Sequence, residues 1–137
     1  MLRSVKVEDY MTRQLVTFRP ETELFVAISV FSESNISGAP VVNDRGELLG
    51  MLSEVDCLKA ILQHTYHEEE KGGCVSDFMS TNVETVSSDA DLIALSQQFI
   101  SSNRRRFPVL KAGKLVGQIS RKDALRAVSD FVSKKTK

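Results

Sequence analysis

The sequence predicts an α/β (α+β) fold: two βαββα units packed sheet to sheet about a pseudo-twofold axis. Three observations carry this expectation: the chain repeats itself, each copy alternates helical and strand periodicity in the same order, and one copy alone is too small to hide its own apolar surface. A shift of about 68 positions lays Val7, Asp9, Met11 and Thr17 on Val75, Asp77, Met79 and Thr85. Leu24, Phe31, Ser34-Asn35 and Pro40-Val41 then fall on Leu92, Phe99, Ser102-Asn103 and Pro108-Val109. After a one-residue deletion, Gly46, Leu48, Gly50, Ser53, Asp56 and Leu58 meet Gly113, Leu115, Gly117, Ser120, Asp123 and Leu125. Roughly a third of the aligned positions agree, in order, which chance does not produce.

Within copy one, Leu24, Ala27, Ile28 and Phe31 sit at helical spacing, as do Leu92, Leu95 and Phe99 in copy two. Ser88, three residues before Asp91, resembles a capping box opening the second of these helices, and Asn35 and Asn103 close the pair. Residues 39–42 and 48–52 read as strands around an Asn-Asp-Arg-Gly turn; residues 107–110 and 115–119 repeat them around Ala-Gly. A further helix follows each hairpin, with Val55, Leu58 and Leu62 as its apolar positions in copy one and Ala124, Val128, Phe131 and Val132 in copy two. A three-stranded sheet with helices on one face leaves its other face uncovered, so two copies stacked sheet to sheet are expected. The boundaries are then repeat one at 1–63, a polar linker at 64–74 and repeat two at 75–137, forming one domain together.

Composition narrows the function classes. Eighteen basic residues balance eighteen acidic ones, so no overall field draws the chain to nucleic acid or an anionic membrane. No apolar run approaches the ~18 residues of a membrane span, and residues 1–10 carry charges rather than a signal peptide, so a cytoplasmic protein is expected. Cys57 and Cys74 are read as reduced thiols, since two cysteines without regular spacing make no disulfide framework. His64 and His67, beside Glu68–Glu70, read as solvated linker because no third metal ligand is fixed. Both histidines lie in that linker, which leaves nothing for a Ser-His-Asp or Cys-His catalyst, and no enzyme is expected.

The chemistry concentrates in Gly50-Met-Leu-Ser53-Glu-Val-Asp56 and Gly117-Gln-Ile-Ser120-Arg-Lys-Asp123, each running from a strand end into a helix start. Ser-x-x-Asp is also an ordinary N-cap arrangement. Its recurrence in register, with glycine three residues earlier each time, sets a hydroxyl, a carboxylate and backbone N–H groups at a positive helix end. A carboxylate there suits a vicinal diol, and the helix end suits an anion; ribose with a phosphate meets both demands. Arg104-Arg105-Arg106, at a helix-to-strand corner, reads either as solvated surface or as guanidiniums aimed at phosphate. A nucleic-acid surface would want more basic residues interleaved with aromatics than Phe107 alone provides.

The doubled Gly-x-hydrophobic-Ser-x-x-Asp, the Pro-Val strands and the Asp-x-Met leads resemble a tandem cystathionine-β-synthase (CBS) domain pair, or Bateman module, from about Val5 to Phe131. The resemblance implies clefts for adenosyl ligands, with the aspartate on the ribose hydroxyls. It implies one cleft of Ser120 and Asp123 with Met11, Thr12, Val16, Ile36, Ser37, Gly38 and Pro40, and with Arg106 near the phosphate. A second, weaker cleft joins Ser53 and Asp56 to Met79, Ser80, Arg104, Arg105 and Pro108, with Glu84 on its base wall. Met11 and Met79 read as core or cleft wall. The implied function is a regulatory AMP-, ADP- or ATP-binding sensor without a catalytic cofactor. It would form a homodimer through its helices and pass its state to a regulated protein partner. The alternative is a structural or interaction module with vestigial clefts.

Overall fold

A computed structural model describes residues 2–67 and 73–135. Among the described residues, four helices and five strands follow one another: α1 (Leu24–Glu33), β1 (Gly38–Val42), β2 (Leu48–Ser53), α2 (Glu54–His67), β3 (Val86–Ser87), α3 (Leu92–Ser102), β4 (Arg106–Lys111), β5 (Lys114–Ser120) and α4 (Arg121–Lys135). Short 3-10 turns at Val7–Asp9 and Val75–Asp77 mark the two lead segments. The mixed helix-and-sheet class and the internal order of each copy are as the periodicity predicts. α2 continues to His67, into the stretch read as polar linker, and residues 68–72 lie outside the described residues.

Two compact units emerge, and they divide the chain differently from its repeats. One comprises Met1–Leu15 with Glu84–Lys137, the other Val16–Val83. Each repeat therefore contributes its lead segment to the unit built from the other repeat. In the first unit, Val7 N donates to the Ala90 carbonyl (2.9 Å) and Glu8 N to that of Ser88 (3.0 Å). Thr12 and Gln118 exchange two backbone hydrogen bonds along the edge of β5. In the second unit, Val75 N donates to Thr22, and Ser80 and Met51 exchange the matching pair on β2.

The sheets follow the same plan. β4 and β5 form an antiparallel hairpin with β3 parallel to β4; β1 and β2 form the corresponding hairpin, with Phe18 bridging Val41 in the place of β3. Fully buried Phe107, Val109, Ile119, Leu95 and Val7 centre the first core, where Phe99 stacks on Phe107 at 4.6 Å. Leu24, Val41, Leu52 and Val75 centre the second, with Phe18 edge-on to Phe31. Phe107 thus serves packing and offers no face to a base.

Local details depart from expectation in three places. The α3 cap is Asp91, whose carboxylate accepts from Ala94 N at 2.8 Å, whereas Ser88 is buried and its N–H bonds the Leu110 carbonyl. Asn103 closes α3 in the left-handed region (φ 57°), but α1 ends at Ser34 in extended backbone, so Asn35 plays no such part. On α2 the small residues Cys57 and Ala60 face the core, while Val55, Leu58 and Leu62 are exposed. Tight approach of helix to sheet leaves room only for the smaller side chains there.

Candidate functional site

In both units one end of the sheet gathers the residues singled out by the sequence, and the same local contacts build it twice. Ser120 N donates to Asp123 Oδ2 at 2.9 Å, and Asp123 N to Ser120 Oγ at 3.2 Å. Ser53 and Asp56 repeat this reciprocal cap at 2.9 and 3.1 Å. The capping box is therefore real at both sites, and it aims each carboxylate across the first helical turn. The N–H of the first helical residue is also occupied: Arg121 donates to the Arg105 carbonyl and Glu54 to that of Ser37, each at 3.0 Å. Two of the three first-turn donors are thus satisfied by the chain itself. Each helix start therefore offers fewer open N–H groups than expected.

The glycines explain why the motif needs them. A Cβ at Gly117 would come within 2.6 Å of Met11 Sδ and 2.8 Å of the Thr12 carbonyl; one at Gly50 would come within 2.6 Å of the Ser80 carbonyl and 3.0 Å of Met79 Sδ. Each lead segment lies directly over its glycine. Met11 and Met79 accordingly pack, partly buried, against their cores.

The residues singled out by the sequence are distributed over both units. Met11, Thr12, Arg104, Arg105, Arg106, Pro108, Ser120 and Asp123 fall in the first unit; Val16, Ile36, Ser37, Gly38, Pro40, Ser53, Asp56, Met79 and Ser80 fall in the second. The structure sets Gly38 opposite Ser53 and Arg106 opposite Ser120 across their own hairpins. A tight antiparallel hairpin brings a strand start beside its own partner's end, and the Ser37 carbonyl accordingly meets Glu54 N while the Arg105 carbonyl meets Arg121 N. Glu84 also joins the Asp123 unit, where its carboxylate meets Arg104 Nε at 3.6 Å.

Three further residues in the first unit escaped sequence reasoning. Arg126 reaches Asp123 Oδ1 at 3.4 Å, lies 5.5 Å over the Tyr10 ring and donates to the Tyr10 carbonyl. Tyr10 in turn donates to Asp130 at 2.9 Å, and this hydrogen bond raises its phenol above the ordinary value. Gln118 Nε2 is buried without a hydrogen-bond partner among the described residues. The opposite charges of Asp123 and Arg126, three residues apart on a helix, were the available signal. Among the described residues no cluster of acidic, histidine or cysteine side chains could hold a metal, and no helix is long and apolar enough to cross a membrane.

Comparison with known proteins places these contacts in context. The family model for the CBS domain matches residues 7–63 and again 75–130. An uncharacterised protein of Methanocaldococcus jannaschii is 27% identical over 88% of this chain, which spans 41% of that protein's length. The CBS domain-containing protein YhcV of Bacillus subtilis is 31% identical, covering 83% of this chain and 79% of its own. Among solved structures, CBSX2 in complex with AMP superposes with a TM-score of 0.80 at 27% identity, covering 93% of this chain and 98% of that one. CBSX2 is a CBS-pair protein from Arabidopsis thaliana.

Proposed function

This chain belongs to the CBS domain family as a tandem pair, and from that premise we propose that it is a regulatory module binding an adenine nucleotide. The observation that carries the reading is the strand-to-helix corner built twice, each with an aspartate held by a reciprocal cap beside a lead segment. The AMP complex of CBSX2 supports the ligand class. Asp123 and Asp56 accept hydrogen bonds from the ribose hydroxyls, and Met11 and Met79 wall the base. Arg104, Arg105 and Arg106 meet phosphate on the Asp123 side, whereas Val16, Ile36, Ser37 and Gly38 give the Asp56 side an uncharged wall. No step of bond-making is assigned; the ligand acts by favouring one arrangement of the protein over another, to the extent that it binds them unequally.

Calorimetry with AMP, ADP and ATP tests this. Asp123→Ala weakens the tightest AMP binding by about tenfold or more, because a charge-assisted contact is lost, while Asp56→Ala changes it little. The reverse order would assign phosphate recognition to the Asp56 site. A second reading, a purely structural pair with vestigial clefts, draws on the self-satisfied caps, which hold both aspartates without any ligand. Absence of saturable binding by all three nucleotides would select it.

A further inference from the structure

The Asp123 site carries an ion pair that its twin lacks. β3 runs parallel to β4, so Glu84, just before β3, lies at the same sheet end as the corner Arg104–Arg106. Its Oε1 lies 3.6 Å from Arg104 Nε, with both side chains nearly half exposed. The backbone of the corner is pinned to the start of α4: the Arg104 carbonyl accepts from Arg121 Nε at 2.8 Å and the Arg105 carbonyl from Arg121 N at 3.0 Å. Arg104 is thereby fixed beside the helix start that bears Ser120 and Asp123, and Glu84 is its counter-ion. The residue matching Glu84 in the other copy is Val16, and Ile36 and Ser37 match Arg104 and Arg105, so no equivalent pair can form there.

We propose that Glu84 is a specificity-determining residue of the Asp123 site: an internal anion that competes with ligand phosphate for Arg104, so that a phosphate-bearing ligand must displace it and an uncharged one need not. The inference rests on the nucleotide reading above and deepens it. An exposed pair of this kind is weak enough to be opened by a ligand, yet it still taxes the affinity of an anion. Neutral adenosyl compounds make no demand on Arg104 and escape the competition. Glu84 thereby narrows the margin by which this site prefers a nucleotide over its nucleoside, and lets ionic strength set that margin.

The test compares AMP with adenosine by calorimetry on full-length Asp56→Ala protein, which isolates the Asp123 site, with and without Glu84→Gln. Removing the charge tightens AMP by about two- to fivefold and leaves adenosine unchanged, and the gain shrinks in high salt. Glu84→Val, which installs the residue of the twin site, gives the same result, whereas Arg104→Gln abolishes the gain. If both ligands bind and the ratio of their affinities is unmoved by Glu84→Gln, the competition is refuted while the nucleotide reading stands. If neither ligand binds the Asp56→Ala protein, the nucleotide reading of this site fails and the inference falls with it.

Discussion

Two residues whose identity no motif specifies, Tyr10 and Arg126, set the immediate surroundings of Asp123. Arg126 sits between the carboxylate and the Tyr10 ring, and the Tyr10 hydroxyl is anchored on Asp130. The hydrogen bond to Asp130 raises the Tyr10 phenol above its ordinary 10.0, with desolvation and the nearby negative charge adding to it and Arg126 opposing. Because the folded-state value is the higher one, the protonated phenol favours the fold. That contribution is complete below about pH 10 and disappears as pH rises through the folded value. In a Tyr66→Phe background, where one phenol reports, ultraviolet titration places the Tyr10 midpoint above 10.0. Asp130→Asn brings it down, and an unchanged midpoint would show that the Asp130 contact does not form in solution. The carboxylate of Asp123 is itself only 14% exposed, so its link to Arg126 satisfies an oxygen that water reaches poorly.

At the scale of elements, the close passage of a lead segment over a strand decides which glycines are indispensable. Gly117 and Gly50 have no room for a Cβ, because the unyielding backbone carbonyls of Thr12 and Ser80 stand in its way together with the Met11 and Met79 side chains. Gly38, whose nearest such contact is 3.5 Å, has ordinary space. Gly117→Ala therefore costs about 1–3 kcal/mol of stability by overpacking, whereas Gly38→Ala is close to neutral. Urea denaturation measures the difference; equal midpoints for the two variants would mean that the leads do not lie on their strands as described. The helices show a related economy. α2 and α4 turn Cys57, Ala60, Ala124 and Ala127 toward the sheets and leave larger apolar residues outward.

For the molecule as a whole, those outward residues are the feature that bears on assembly. Val55, Leu58 and Leu62 are each more than half exposed, and on α4 Leu125 is 70% exposed. An apolar stripe of this kind is a favourable surface to bury against a second copy, in line with the homodimer proposed from the family resemblance. Sedimentation at micromolar concentration is expected to show a dimer, and Leu58→Lys with Leu62→Lys to shift it to monomer while the fold survives, since neither side chain serves the core. A wild-type monomer across that range would remove the dimer from the proposal.

Much of this was legible in the sequence because it is local. The duplication, both hairpins, all four helices and the Ser-x-x-Asp caps follow from periodicity and from contacts between residues three or four apart. The helix faces were not, because Val55, Leu58 and Leu62 have the spacing of a buried stripe, and only the closeness of the sheet favours Cys57 and Ala60 instead. The distribution of the leads was also decided by tertiary structure alone. Val7 matches Val75 and Met11 matches Met79, so a lead carries no local mark saying which copy it will cover. The folded chain resolves that degeneracy by exchange, with Thr12 pairing with Gln118 and Ser80 with Met51. Each hairpin's return on itself sets Arg106 beside Ser120 and Gly38 beside Ser53, and Glu84 meets Arg104 in the unit that holds Asp123. Sequence by itself determined which residues repeat and which local caps form; which segments stand together depended on pairings between residues as distant as Thr12 and Gln118, whose energies no local pattern encodes.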